Sequence, residues 1–154
     1  MQRAISVTYV VYMNRFVKLI SKILRRLFSA EFIKFNIVGA VGILVNMAAY
    51  IVLKDWLQMY YMFSGALATE VAIINNFILN DLWTFRGRNT KTSIWVRAGL
   101  FHLSRLLGMG VTLGALYVLV DFFKLNDLLA YLISIGLGVL ANFYTSDVYV
   151  WSQK

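Results

Sequence analysis

The chain has 154 residues, 60% of them apolar and only 14% charged, a balance that excludes an ordinary water-soluble domain and makes the bilayer its natural solvent. It has no cysteine, which excludes disulfides and thiolate chemistry, and its single histidine, His102, leaves no donor set for zinc. The net charge of +8 flanks long apolar stretches instead of forming an aromatic-laced soluble face, so it points to anionic membrane lipids and away from nucleic acid.

Residues 1–30 form an arm in which Arg15, Lys18, Lys22 and Arg25 recur at helical spacing opposite Phe16, Ile20, Ile23 and Leu27. This pattern predicts an amphipathic interfacial helix on the cytoplasmic leaflet, serving as a topological anchor or as a contact with lipid or a partner enzyme. Its interspersed charges argue against a signal peptide. Residues 31–154 then form one domain with four stretches long enough to cross a bilayer, at 35–53, 60–83, 98–120 and 128–150. Without proline the helices run unkinked and are joined as short-looped hairpins. The arm through Lys34, the connection holding Arg86, Arg88, Lys91 and Arg97, and Lys154 together carry twelve Lys and Arg, against only Lys54 and Lys124 in the other connections. That asymmetry predicts a multi-pass protein of the inner or plasma membrane with both termini in the cytoplasm.

An internal repeat refines the expectation. NFILNDLWTF returns 66 residues later as NFYTSDVYVW, setting Asn76, Phe77 and Asp81 in register with Asn142, Phe143 and Asp147. The expected fold is therefore an all-α membrane protein whose four helices form two hairpins related as a parallel repeat, with a polar site at their junction.

Charged groups deep in a span usually face the bundle interior, and here they are Glu70 in the second span and Arg105 in the third. They are placed to pair with each other as a structural ion pair, or to serve as a sugar-hydroxyl acceptor and a planar donor to lipid phosphate. Nearer the cytoplasm stand Asn75, Asn76, Asn80 and Asp81 of the second span with Asn142, Ser146 and Asp147 of the fourth. With His102, one turn before Arg105, these would line a vestibule that narrows toward Arg105. Their alternative roles are interhelical hydrogen bonds, worth about 0.6 kcal/mol each, and for His102 a bond to a neighbour in preference to a proton relay. GLGVLA at 136–141 fits a dinucleotide-binding pattern but lies inside a span, and its glycines, like Gly39 with Gly42, Gly110 with Gly114 and Gly65 with Thr69, read as helix-packing positions. There is no Gly-Lys-Ser/Thr loop and no Ser/His/Asp set, so the chain reads as a non-enzyme that needs no cofactor.

FIKFNIVGAVGILVN in the first span and AIINNFILNDLWTFRGR at the end of the second resemble the GtrA-like family. The resemblance implies a four-helix membrane protein that moves a polyprenyl-phosphate-linked sugar from the cytoplasmic to the outer leaflet for surface polysaccharide synthesis. It also implies an alternative, a non-transporting anchor for a polyprenyl-phosphate glycosyltransferase. Carried over are Phe35, Gly39 and Asn46 of the first span and Asn76, Phe77, Asn80, Trp83 and Phe85 of the second. Many members have a basic residue where this chain has Asp81, so phosphate contact would fall to Arg86, Arg97 or Arg105. A proton-coupled exporter using Glu70 is a further option, and a homo-oligomer is left open.

Overall fold

The computed structural model describes residues 17, 21, 25, 26, 28–88 and 90–152. Most of the expected amphipathic arm lies outside them. Among the described residues four helices are long and apolar enough to cross a membrane. They are α1 (Ala30–Ile51), α2 (Tyr61–Leu79), α3 (Ile94–Tyr117) and α4 (Asp127–Thr145). The architecture is that of an all-α, four-span membrane protein.

Two helices begin earlier than hydropathy alone suggests, because serine caps start them before the apolar stretch does. The Ser29 hydroxyl accepts the N–H of Phe32, and that of Ser93 accepts the N–H of Val96. Arg97 consequently lies in the first turn of α3 and not in the connection. Arg105 lies eleven residues past Ile94, about 16 Å along the helix, close to the middle of a hydrocarbon core about 30 Å thick.

Each helix closes with a π-helical turn. The N–H groups of Leu57, Phe85, Phe123 and Trp151 bond carbonyls five residues back, on Val52, Asn80, Val118 and Ser146, at 3.0, 2.9, 3.1 and 3.0 Å. These turns fall in two pairs separated by the 66-residue period. The period also governs the links at 57–60 and 123–126, where Met59 N–H bonds Leu53 and Leu125 N–H bonds Leu119, both at 3.0 Å. Gln58 and Lys124 hold matching left-handed conformations there, φ 53° and 54°. This is the helix-ending turn that glycine usually occupies, repeated in two copies without glycine.

Within each hairpin the helices pack through small side chains. Ser64, Ala68 and Ala72 recur every fourth residue on α2, and Ala130, Ser134 and Gly138 take the same places on α4, all of them buried. Their serine hydroxyls bond carbonyls of their own helix, Ser64 to Tyr60 at 3.2 Å and Ser134 to Ala130 at 2.7 Å. The outward faces carry exposed Leu, Ile, Met and Phe, as a surface meeting lipid tails requires. Close packing differs in detail from the expectation: a Cβ at Gly39, Gly110, Gly114 or Gly136 would meet nothing within 4 Å. The tight approaches are at Gly42, Gly108 and Gly138. A glycine pair marks spacing on a helix, but only the neighbouring helix decides which face is used.

The two hairpins meet chiefly through one aromatic cluster at the end of the bundle that carries Arg88, Arg97 and Trp151, called here the basic end. Phe35, Phe77 and Phe85 supply three rings, and Phe101, Phe143 and Trp151, each 66 residues on, supply their mates. The contacts repeat as the rings do. Phe35–Phe143 and Phe101–Phe77 lie 5.5 and 5.8 Å apart, Phe35–Phe85 and Phe101–Trp151 6.3 and 5.5 Å. Phe85 and Trp151 stack at 4.4 Å, where the pseudo-two-fold axis must pass. Relief of left-handed strain gives the first prediction: Lys124→Gly leaves or raises the thermal midpoint in detergent, while Lys124→Val lowers it by the equivalent of about 1–2 kcal/mol.

Candidate functional site

Above the aromatic cluster, toward the membrane centre, α1, α2 and α3 enclose a lateral groove of about 260 Å³ lined by Gly39, Gly42, Asn46, Thr69, Asn76 and Arg105, among others. Arg105 enters it from α3. Its guanidinium lies 4.5 Å from the Phe101 ring centroid and 5.1 Å from that of Phe35. The two ring faces hold the charge in the apolar layer, while buried Nε and Nη2 have no hydrogen-bond partner. The position 66 residues earlier is Gly39, which lines the same groove, so a single arginine serves the junction in place of a symmetric pair.

Asn76 is 9% exposed and leans on Gly42; Asn142 leans on Gly108 in the same way. The side-chain oxygens of both asparagines lack hydrogen-bond partners. Asn80 is fully buried and donates to the Asn76 carbonyl at 2.8 Å, while Asn46 donates to the Thr69 hydroxyl at 3.3 Å. Asn75 is half-buried. In the second hairpin, Ser104, Thr145 and Ser146 form a hydroxyl cluster, with Ser104 Oγ donating to the Asn142 carbonyl at 3.3 Å.

Glu70 does not meet Arg105, nor does it face the bundle interior as expected: its side chain is half exposed at the edge of the α2–α3 seam. Its Oε1 lies 2.7 Å from His102 Nε2, joining α2 to α3. His102 Nδ1 lies 2.9 Å from the Ala98 carbonyl, which can only accept, so Nδ1 carries a proton. One further proton must then sit between Nε2 and the carboxyl oxygen for the two to bond.

Both aspartates of the repeat are neutralised at the basic end. Asp81 pairs with Arg97 and accepts the Trp151 indole N–H at 2.8 Å. Asp147, 6% exposed, pairs with Arg26 and, at 2.6 Å, with Arg88. The repeat explains the different partners: the mate of Arg97 is Glu31, which cannot neutralise Asp147, so two other arginines converge on it. An open basin of about 1040 Å³ beside this cluster is lined by Arg25, Arg26, Ser29, Glu31, Arg88 and Asp147, among others. Arg86 is exposed in the neighbouring turn.

The continuous vestibule expected to run from the basic end to Arg105 is not formed. The six aromatic rings fill the space between the two polar layers, and Arg105 opens sideways into the groove. Asn76, Asn46 and Arg105 are brought together, while Asp81 and Asp147 lie on the far side of the plug. Arg26 and Arg88 escaped attention in the sequence because each gains its role only by folding onto the opposite half of the repeat.

A four-span membrane domain built from two pseudo-symmetric hairpins, with one buried arginine at their junction, is the class these features define. The chain belongs to the GtrA/DPMS transmembrane-domain family, whose model matches residues 34–151. It is similar to a dolichol-phosphate mannosyltransferase of Pyrococcus furiosus, 32% identical over 120 residues that make up 78% of this chain and 33% of that protein. It thus spans about a third of the length of that relative. The membrane protein YwcD of Bacillus subtilis is 25% identical over 118 residues, covering 76% of this chain and 93% of that one.

The asparagine seats give the second prediction. Gly42→Ala and Gly108→Ala each drive a Cβ into an asparagine and should cost roughly 1–3 kcal/mol, additively because they lie in separate hairpins, whereas Gly114→Ala, where the Cβ meets nothing, should leave stability unchanged or raise it by up to about 1 kcal/mol. Thermal unfolding of the detergent-purified variants measures both effects.

Proposed function

We propose that the protein moves a polyprenyl-phosphate-linked sugar between membrane leaflets for cell-surface polysaccharide or glycan synthesis, without catalysing a chemical step. The family supports a membrane function tied to polyprenyl-phosphate sugars, and the observation that carries the transport reading is Arg105. A guanidinium held near the bilayer centre with unpaired donors is costly unless an anion meets it there, and its planar fork matches phosphate.

In this reading the polyprenyl tail remains among lipid tails and the phosphate takes the Arg105 donors through the side of the groove. Sugar hydroxyls bond Asn46, Thr69 and Asn76, with Asn75, Asn80 and Asn142 as the next polar groups along the junction. The basic end faces the cytoplasm, where anionic lipid headgroups attract it and where Arg86 and Arg97 first meet the phosphate. Asp81 positions Arg97, and Asp147 positions Arg26 and Arg88.

A second reading is favoured by the mannosyltransferase match, in which a region like this chain is one third of a longer protein. There the four helices hold a glycosyltransferase at its lipid substrate, and Arg105 is dispensable. Reconstitution of the full chain in vesicles separates the two. Transbilayer movement of a labelled polyprenyl phosphoryl sugar should exceed that in empty vesicles, fall about tenfold to a hundredfold in Arg105→Ala, and be partly retained in Arg105→Lys. A wild-type rate equal to that of empty vesicles, with an associated glycosyltransferase co-purifying, selects the anchor.

A further inference from the structure

The equivalent seams between hairpins are closed differently. The mates of His102 and Glu70 are Asn36 and Gly136, and these line an open groove of about 470 Å³ between α1 and α4, where no carboxylate or imidazole stands. At the α2–α3 seam the His102–Glu70 bond, holding one proton, spans the same place.

Helix register brings a second charged group near the level of Glu70. Phe77 and Phe101 are in ring contact at 5.8 Å, which fixes the register of antiparallel α2 and α3. Moving from that contact toward the membrane centre, residue numbers fall on α2 and rise on α3. Arg105 is therefore closer than His102 to the level of Glu70. His102 and Arg105, three apart on one helix, are side-chain neighbours. Ile73, three residues from Glu70 and so on the same side of α2, lines the same groove as Arg105.

The geometry points to an exchange of partners: we infer that Glu70 shares a proton with His102 while an anionic headgroup occupies Arg105, and that loss of the proton transfers the Glu70 carboxylate to Arg105 and expels the anion. The inference rests on the Arg105 site of the preceding reading and adds an energy-coupling activity to it. The step balances as a proton transfer. The loaded pair, written either as imidazolium with carboxylate or as imidazole with carboxylic acid, releases one proton to water. It leaves neutral His102 with Nδ1–H still on the Ala98 carbonyl, and anionic Glu70 facing Arg105. Net charge in the layer is conserved, because the departing headgroup carries one negative charge and Glu70 supplies another.

The other charged or titratable groups on the packed elements stand elsewhere. Among the described residues, Glu31 and Lys34 of α1, Asp81 beyond α2, Arg97 of α3, and Tyr144, Asp147 and Tyr149 on and beyond α4 lie toward the basic end, while Tyr50, Lys54, Asp55, Tyr60, Tyr61, Tyr117, Asp121, Lys124, Asp127 and Tyr131 lie toward the opposite end. Lys34 covers the Trp83 ring at 5.5 Å, and Asp81 and Asp147 are paired with arginines.

The test is calorimetric binding of farnesyl phosphoryl mannose to the purified full chain in buffers of different ionisation enthalpy. This probe is a phosphodiester with no proton of its own to exchange near neutral pH. Wherever the unliganded pair has lost its proton, binding should take up one proton per ligand, and affinity should fall about tenfold per pH unit. Glu70→Gln, which cannot compete for Arg105, should bind with pH-independent affinity and no proton uptake. Arg105→Ala should lose binding at every pH. Wild-type binding that depends on Arg105 but takes up no proton overturns the exchange and leaves the anion site standing. Binding that is absent in wild type or unaffected by Arg105→Ala overturns both.

Discussion

Two hairpins in a bilayer gain little from the hydrophobic effect when they meet, because lipid tails are as apolar as the helix faces they would cover. Here the join depends on shape: six interlocked rings that repeat each other through a pseudo-two-fold axis, with Phe85 and Trp151 stacked where that axis runs. The cluster fixes the register of α2 against α3 and of α1 against α4. It also decides where polar groups can stand, since a solid aromatic layer leaves one polar zone at the basic end and a second, isolated one around Arg105.

That isolation bears on energetics. Charges at the basic end neutralise one another at the edge of the apolar layer, Asp81 with Arg97 and Asp147 with Arg26 and Arg88. Arg105 has no carboxylate partner among the described residues and relies on two phenylalanine faces. Structural ion pairs and a guanidinium without a carboxylate partner thus occupy different layers of one molecule. The symmetry of the fold makes the distinction visible, because Arg105 replaces a glycine and Glu70 a second glycine at the corresponding places of the other half.

The sequence disclosed the four spans, the all-α class and the parallel repeat, because length, hydropathy and a 66-residue recurrence are local signals. It also marked Arg105, Glu70 and the paired asparagines, since polar residues inside apolar runs are conspicuous. It did not disclose who pairs with whom. Glu70 faces His102, one turn from Arg105, and spacing along one helix cannot report which of two neighbours on a face a residue across the seam will meet. The aromatic plug was equally hidden: Phe35, Phe77, Phe143 and Trp151 look like ordinary span or interface residues until two distant halves bring them together. Helix starts were misjudged where Ser29 and Ser93 caps extended the helices into polar sequence.

The two links at the end opposite the basic one are tight turns at 57–60 and 123–126. Links of four residues leave almost no chain beyond the helix ends, so that face offers a soluble protein little to grip. Any tag or epitope intended to leave the bundle undisturbed belongs on the other face.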